Sequence, residues 1–178
     1  MIIATALGKL FEGQTVDVIN QGVPEANRSV YFHYGDQKEL LLWIKLRGNK
    51  GKYPLIWYVL NNYTEHNGWY EVDAKLVLMQ LTKGDPLNTW RQQNSYLGIL
   101  DPLTELVKER LKNQFVTIVS RDLADRFTFK DEPNYGVDTS ESDFNSTKEN
   151  GKMSISTDIV DARIIRFRLR IKAKCIIN

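Results

Sequence analysis

Acid–base catalysis needs a histidine and carboxylates that converge, and one region of this chain holds both. Glu65 and His66 adjoin in "NNYTEHNG", and Glu71 and Asp73 stand two apart in "WYEVDAKLVLMQLT". Residues two apart share one face of a strand, so the two carboxylates stand side by side. A small hydrolase would use them with His66 as proton carrier. Exposed turn and strand charges are the commoner use of such residues. The other signatures of chemistry are missing: the histidines are His33 and His66, with no helical HExxH, no CxxC pair and no GxSxG. "GNKGKY" begins like a phosphate-binding loop, but Leu46 stands five before Gly51 and Tyr53 follows Lys52, where the motif requires Gly and Ser or Thr. The sequence therefore predicts no catalytic residue, no metal and no cofactor, and a solvated loop around "GNKGK".

The strongest local oddity is "RIIRFRLRIKAKC" near the end of the chain. Ile165, Phe167, Leu169, Ile171, Ala173, Cys175 and Ile177 alternate with Arg166, Arg168, Arg170, Lys172 and Lys174. A period of two marks a strand with one apolar and one cationic face. Neighbouring cations on one face repel one another unless anions or solvent compensate. Three uses fit: a solvated outer face that discourages sheet aggregation, pairing with carboxylates of a neighbouring subunit, or contact with nucleic acid. The sequence shows no aromatic residue among the cations, which counts against a stacking platform for single strands. Trp43, Trp57, Trp69 and Trp90 are read as core or interface residues.

Composition sets outer bounds. With 178 residues, 42% hydrophobic and 26% charged, the chain fits one globular domain with an ordinary core. A formal net charge of +2 does not label a nucleic-acid binder, so any basic signal is local. The lone Cys175 excludes an intrachain disulfide and reads as a small buried hydrophobe. No apolar run approaches the ~18 residues of a membrane span, and no basic segment precedes the apolar N-terminus. The expectation is a soluble protein made in the cytoplasm.

Those residues need elements to position them. Ile3, Leu7, Leu10 and Phe11 predict an N-terminal helix, weakened by Gly8 and Gly13. "QGVPEANRS" reads as a connector and "SVYFHYG" as a strand. "DQKELLLWIKLRG" reads as a helix capped by Asp36. "YPLIWYVL" is a central strand, and "WYEVDAKLVLMQLT" a long one. "NTWRQQNSYLGIL" has no clean period. "DPLTELVKERLKNQF" predicts a helix with Asp101 as cap and Pro102 in its first turn. "QFVTIVS" and "DRFTF" read as short strands, and 130–152 as a long acidic surface insertion. The order predicts an α+β domain over 1–178, an antiparallel or mixed sheet with helices packed on one face.

The layout as a whole resembles the tail terminator and tail-completion proteins of tailed bacteriophages and related neck ring proteins. The resemblance rests on an N-terminal helix, the strand "KYPLIWYVLNN", the long strand "EVDAKLVLMQLT" with "TWRQQ" after it, the helix "DPLTELVKERLKN" and the closing strand "DARIIRFRLRIKAKC". It spans roughly residues 2–129 and 158–178. The helix "QKELLLWIKLRG" and the acidic insertion depart from the smallest members. What the resemblance implies is a non-enzymatic virion protein, a homo-oligomeric ring (hexamer or dodecamer) at the tail end or head–tail junction. It would adjoin other neck and tail proteins, contact channel DNA without sequence preference and stay clear of membranes. Arg166, Arg168, Arg170, Lys172 and Lys174 then become candidates for a subunit interface or a channel lining. The competing class is a stand-alone nucleic-acid-binding module that uses the same strand.

Overall fold

Ile3, Leu7 and Phe11 return to one side of a helix, and that side is buried in helix α1 (Ile2–Phe11). The computed structural model describes residues 2–20, 23–45, 52–82, 87–112, 116–118, 127–135 and 159–172. Gly13 closes the first helix with φ +72°, a left-handed conformation that costs glycine little. Strands β1 (Thr15–Asn20) and β2 (Val23–Ser29) then form a separate two-stranded antiparallel ribbon. The segment expected to be a connector is therefore largely strand β2. Pro24 fits there because both strands of a ribbon are edges, so a missing N–H need not break a ladder.

Strand β3 (Tyr31–Gly35) leads to helix α2 (Gln37–Lys45). Asp36 caps it as expected: Glu39 N–H donates to Asp36 Oδ1 at 2.8 Å, and Asp36 N–H donates to Glu39 Oε2 at 2.7 Å. This reciprocal capping box satisfies two otherwise orphan donors. Strands β4 (Leu55–Val59), β5 (Tyr63–His66) and β6 (Trp69–Leu81) follow. Asn67 (φ 49°) and Gly68 (φ 75°) form the turn between β5 and β6, where two left-handed residues match the twist of a hairpin.

Helix α3 (Asn88–Arg91) runs directly into a π-helical segment, Gln92–Leu100, and then into α4 (Asp101–Arg110). The missing period in "NTWRQQNSYLGIL" has this cause. Buried residues fall at Arg91, Ser95–Tyr96 and Gly98–Leu100, and the large ones recur at a spacing of four to five that suits i→i+5 winding. Because the backbone enters α4 already helical at Leu100, Asp101 is not the cap expected from the sequence. Its carboxylate instead pairs with Arg163.

Strands β7 (Val116–Ile118), β8 (Thr128–Glu132) and β9 (Val160–Lys172) complete a mixed seven-stranded sheet of order β3-β4-β6-β9-β7, with β5 added to β6 and β8 to β9. Among the described residues only β3–β4 is parallel. The α+β expectation holds. The expectation of helices on one face holds for α1 and α4 and not for α2. Ile56, Leu76, Leu78, Ile165, Phe167, Leu169 and Ile171 face α1, the π-helix and α4, while Leu55, Trp57, Val77, Met79 and Ile164 face Leu40 and Ile44 of α2. Strands apolar on both sides need cover on both.

The first residues of the insertion expected at 130–152 are part of the fold. Residues 130–132 belong to β8, and Tyr135 is buried in the second core, its N–H donating to Val160 O at 2.8 Å. The rest of that segment, Lys174 and residues 48–51 of "GNKGK" lie outside the described residues; Lys52, the last residue of the expected solvated loop, is buried instead, its ammonium donating to Trp43 O at 2.9 Å.

Candidate functional site

β6 and β9 pair antiparallel along their whole length, and this register brings the two charged oddities of the sequence together. Trp69 lies opposite Lys172, Glu71 opposite Arg170, Asp73 opposite Arg168 and Lys75 opposite Arg166. Residues directly opposite point to the same side of a sheet. The cations expected to seek an outside partner therefore meet the carboxylates that looked catalytic. Arg168 Nε donates to Asp73 Oδ1 at 2.8 Å and Arg170 Nε stands 3.0 Å from Glu71 Oε1. The Arg168 hydrogen bond holds the Asp73 carboxyl below its ordinary pKa, against some loss of solvation.

Parity is as the sequence predicts: Ile165, Phe167, Leu169 and Ile171 are buried, while Arg166, Arg168 and Lys172 are exposed and Arg170 half-buried. One member of the face escaped the sequence reading. Trp69 comes across from β6 and lies beneath both the Arg170 guanidinium (5.0 Å to the ring centroid) and the Lys172 ammonium (5.2 Å). The basic face thus holds an aromatic after all, supplied by the neighbouring strand, and cation–π attraction occupies it.

The third rung is mismatched. Lys75 and Arg166 are like charges placed opposite each other, a destabilising cross-strand pair. Burial, then Arg166, lowers the Lys75 pKa, and its ammonium donates to Gln37 Oε1 at 3.1 Å. Among the described residues Arg166 has no carboxylate partner. The structure does not bring Glu71, Asp73 and His66 into a catalytic group. Each carboxylate is engaged by an arginine, and His66 Nε2 meets the Asn67 side-chain amide at 3.0 Å in an exposed turn. Among the described residues no three His, Cys, Asp or Glu side chains form a metal-binding group, and no helix is long and apolar enough to cross a membrane.

A second charged cluster, on the opposite side of the sheet, was not read from the sequence at all. Asp161 is fully buried, with Oδ1 at 3.1 Å from Arg91 Nε. Asn134 joins them: its N–H donates to Asp161 Oδ1 at 3.3 Å, and its Oδ1 accepts from an Arg91 terminal nitrogen at 2.9 Å. Arg163 forks onto Asp131 at 2.6 and 2.9 Å and also pairs with Asp101. Burial, reinforced by Asp161 and Asp131, pushes the nearby Tyr96 hydroxyl up to about 12. This network ties β8, the end of α3 and the start of α4 to β9. No signal short of the β8–β9 register and the packing of α3 and α4 on β9 would have found it, because its members are spread from Arg91 to Arg163. No protein-family model matches the chain, and no curated protein matches it.

Proposed function

We propose that the chain is a structural virion protein, a subunit of a ring at the phage tail end or head–tail junction that joins head-proximal components to the tail around the DNA channel. The observation that carries this reading is the placement of the closing strand. β9 lies against the long strand β6 over 13 residues, with α1 and α4 on the same apolar face. The resemblance implies this combination of a Tyr-Pro strand, a long second strand, a returning helix and a closing strand in one α+β subunit. The charged face supports a role in contact rather than catalysis, since its carboxylates are held by Arg168 and Arg170.

The test is size-exclusion chromatography with light scattering on the purified chain, followed by electron microscopy for closed rings. Rings of uniform size support the reading, and a monomer at every concentration sinks it. One observation favours the alternative, a nucleic-acid-binding module: the unmatched Lys75–Arg166 rung leaves local positive charge. A monomer that binds duplex DNA with a steep salt dependence would establish that alternative.

A further inference from the structure

Besides its terminal strands β3 and β7, the sheet carries two further edge strands of complementary kind, β5 and β8. On one side β5 pairs only with β6 among the described residues, and on the other β8 pairs only with β9. Each edge exposes apolar side chains on the α1/α4 face. Tyr63 lies opposite Val72 of that core and is 40% exposed; Leu60, three residues earlier and just past the end of β4, is 42% exposed. Phe129 lies opposite Ile165 of the same core and is 48% exposed. Neither edge aromatic is loose. Tyr63 packs edge-on against Tyr70 at 5.6 Å, and Phe129 stacks on Phe127 at 6.1 Å, which itself contacts Phe167. Ordered aromatics held partly in water are the anchor type of protein interfaces.

We infer that the β8 edge of one copy docks against the β5 edge of the next, with Phe127 and Phe129 packed on Leu60 and Tyr63. Strand direction supports it. β5 and β9 both run antiparallel to β6, and β8 runs antiparallel to β9, so β8 opposes β5 in direction. Copies set side by side with their sheets in the same sense therefore meet as antiparallel edges, the better-bonded arrangement. Charge supports it too. The Lys108 ammonium, paired with Glu105 at 2.7 Å, lies 5.2 Å from the Phe129 ring centroid, whereas Glu65 on β5 is exposed beside Tyr63, so the docked edges place a carboxylate near that ammonium. The second copy is the occupant that fits, because both halves of the match are on this one chain.

Such a contact is heterologous and closes into a ring or continues as a filament. Phe129 is level with Leu76 of β6 and Tyr63 with Val72, so neighbouring copies slide by four residues, ~13 Å. A stagger of this kind closes when the strands tilt to the ring axis. The exposed stripe Leu87, Trp90 and Leu97 is the rival surface, but no matching feature of the described residues says what would cover it.

This inference rests on the ring reading for the identity of the partner. The test is sedimentation velocity of the full chain over a range of concentrations. Phe129→Asp and Tyr63→Asp are expected to abolish every species above monomer. Mixing the two variants is expected to restore one species of twice the monomer mass and nothing larger, since one intact edge of each remains. Leu97→Asp is expected to associate like the unaltered chain. Variants at 63 and 129 that still associate fully, or loss of association through Leu97→Asp, overturn the interface and leave the ring reading standing. An unaltered chain that stays monomeric to its solubility limit overturns both. If either aspartate variant fails to fold, Tyr63→Cys and Phe129→Cys, each in a Cys175→Ser background, replace them. Mild oxidation of the mixture is expected to give mixed disulfide dimers, and their absence counts against the contact.

Discussion

Arg168 and Asp73 face each other across β9 and β6, Nε to Oδ1 at 2.8 Å. The guanidinium holds the Asp73 carboxyl below its ordinary pKa. A carboxyl depressed in the folded state stabilises the fold above its unfolded pKa, and that contribution is lost as pH falls through the folded pKa. Both side chains are largely exposed, so the effect is small and salt-screened. Asp73→Asn is expected to lower Tm slightly at neutral pH. The difference should fade below about pH 4 and at high salt. A difference that widened in acid would contradict the pairing.

The alternation in β9 makes a second, larger effect testable. Phe167 is buried against Phe127 and the first core, and Phe167→Ala is expected to cost ~3–5 kcal/mol in denaturant unfolding. Changing Arg166, Arg168 and Arg170 together to Ser touches only the other face and should leave a cooperative unfolding transition. Collapse of the fold in the triple variant would mean that the charged face is structural. Intact rings from that variant would place assembly elsewhere, as the edge contact requires.

Much of the fold was legible because burial writes a period into the sequence. Residues 165–171 alternate, Ile3, Leu7 and Phe11 recur at helical spacing, and Asp36 with Glu39 spells a capping box. Three things were hidden. The ribbon strand β2 has a proline and few apolar residues, so it carries no period of its own. The π-helix repeats at a spacing that neither template matches. The charge ladder needed register: Glu71, Asp73 and the arginines were each visible, but only the pairing of β6 with β9 makes them one another's partners. The buried Arg91–Asp161 pair was hidden because it depends on how α3 packs on β9, and a lone aspartate at the start of a strand gives no sign of burial.

Two tyrosines give an alkaline prediction. Burial pushes Tyr58 and Tyr96 up to about 12. A tyrosine raised in the folded state stabilises fully below its unfolded pKa of about 10, and that contribution is lost as pH rises through the folded value. Tm should therefore fall between about pH 10 and 12. Tyr96→Phe should shift the alkaline limb upward, because phenylalanine has no proton to lose. An alkaline limb identical in the variant would show that Tyr96 ionises freely in the fold.

The Arg91–Asp161 pair should be the most sensitive charged contact among the described residues. Asp161 has no exposure, and its Oδ2 has no hydrogen-bond partner among the described residues. Arg91→Met leaves that carboxylate buried without its counter-charge, and Asp161→Asn does the reverse to the guanidinium. Breaking one side of a buried pair costs ~3–5 kcal/mol, because the survivor keeps its desolvation penalty without its attraction. For a chain of this size that corresponds to a Tm loss of roughly 6–20 °C. Removing both charges takes away the penalty along with the attraction, so the double variant should cost clearly less than the two singles added. Asn134 donates to Asp161 and accepts from Arg91, so both single variants should also speed amide exchange at Asn134 and Tyr135. Additive losses with no change in exchange there would mean that the two side chains act independently and that the 133–135 segment is held by Tyr135 alone.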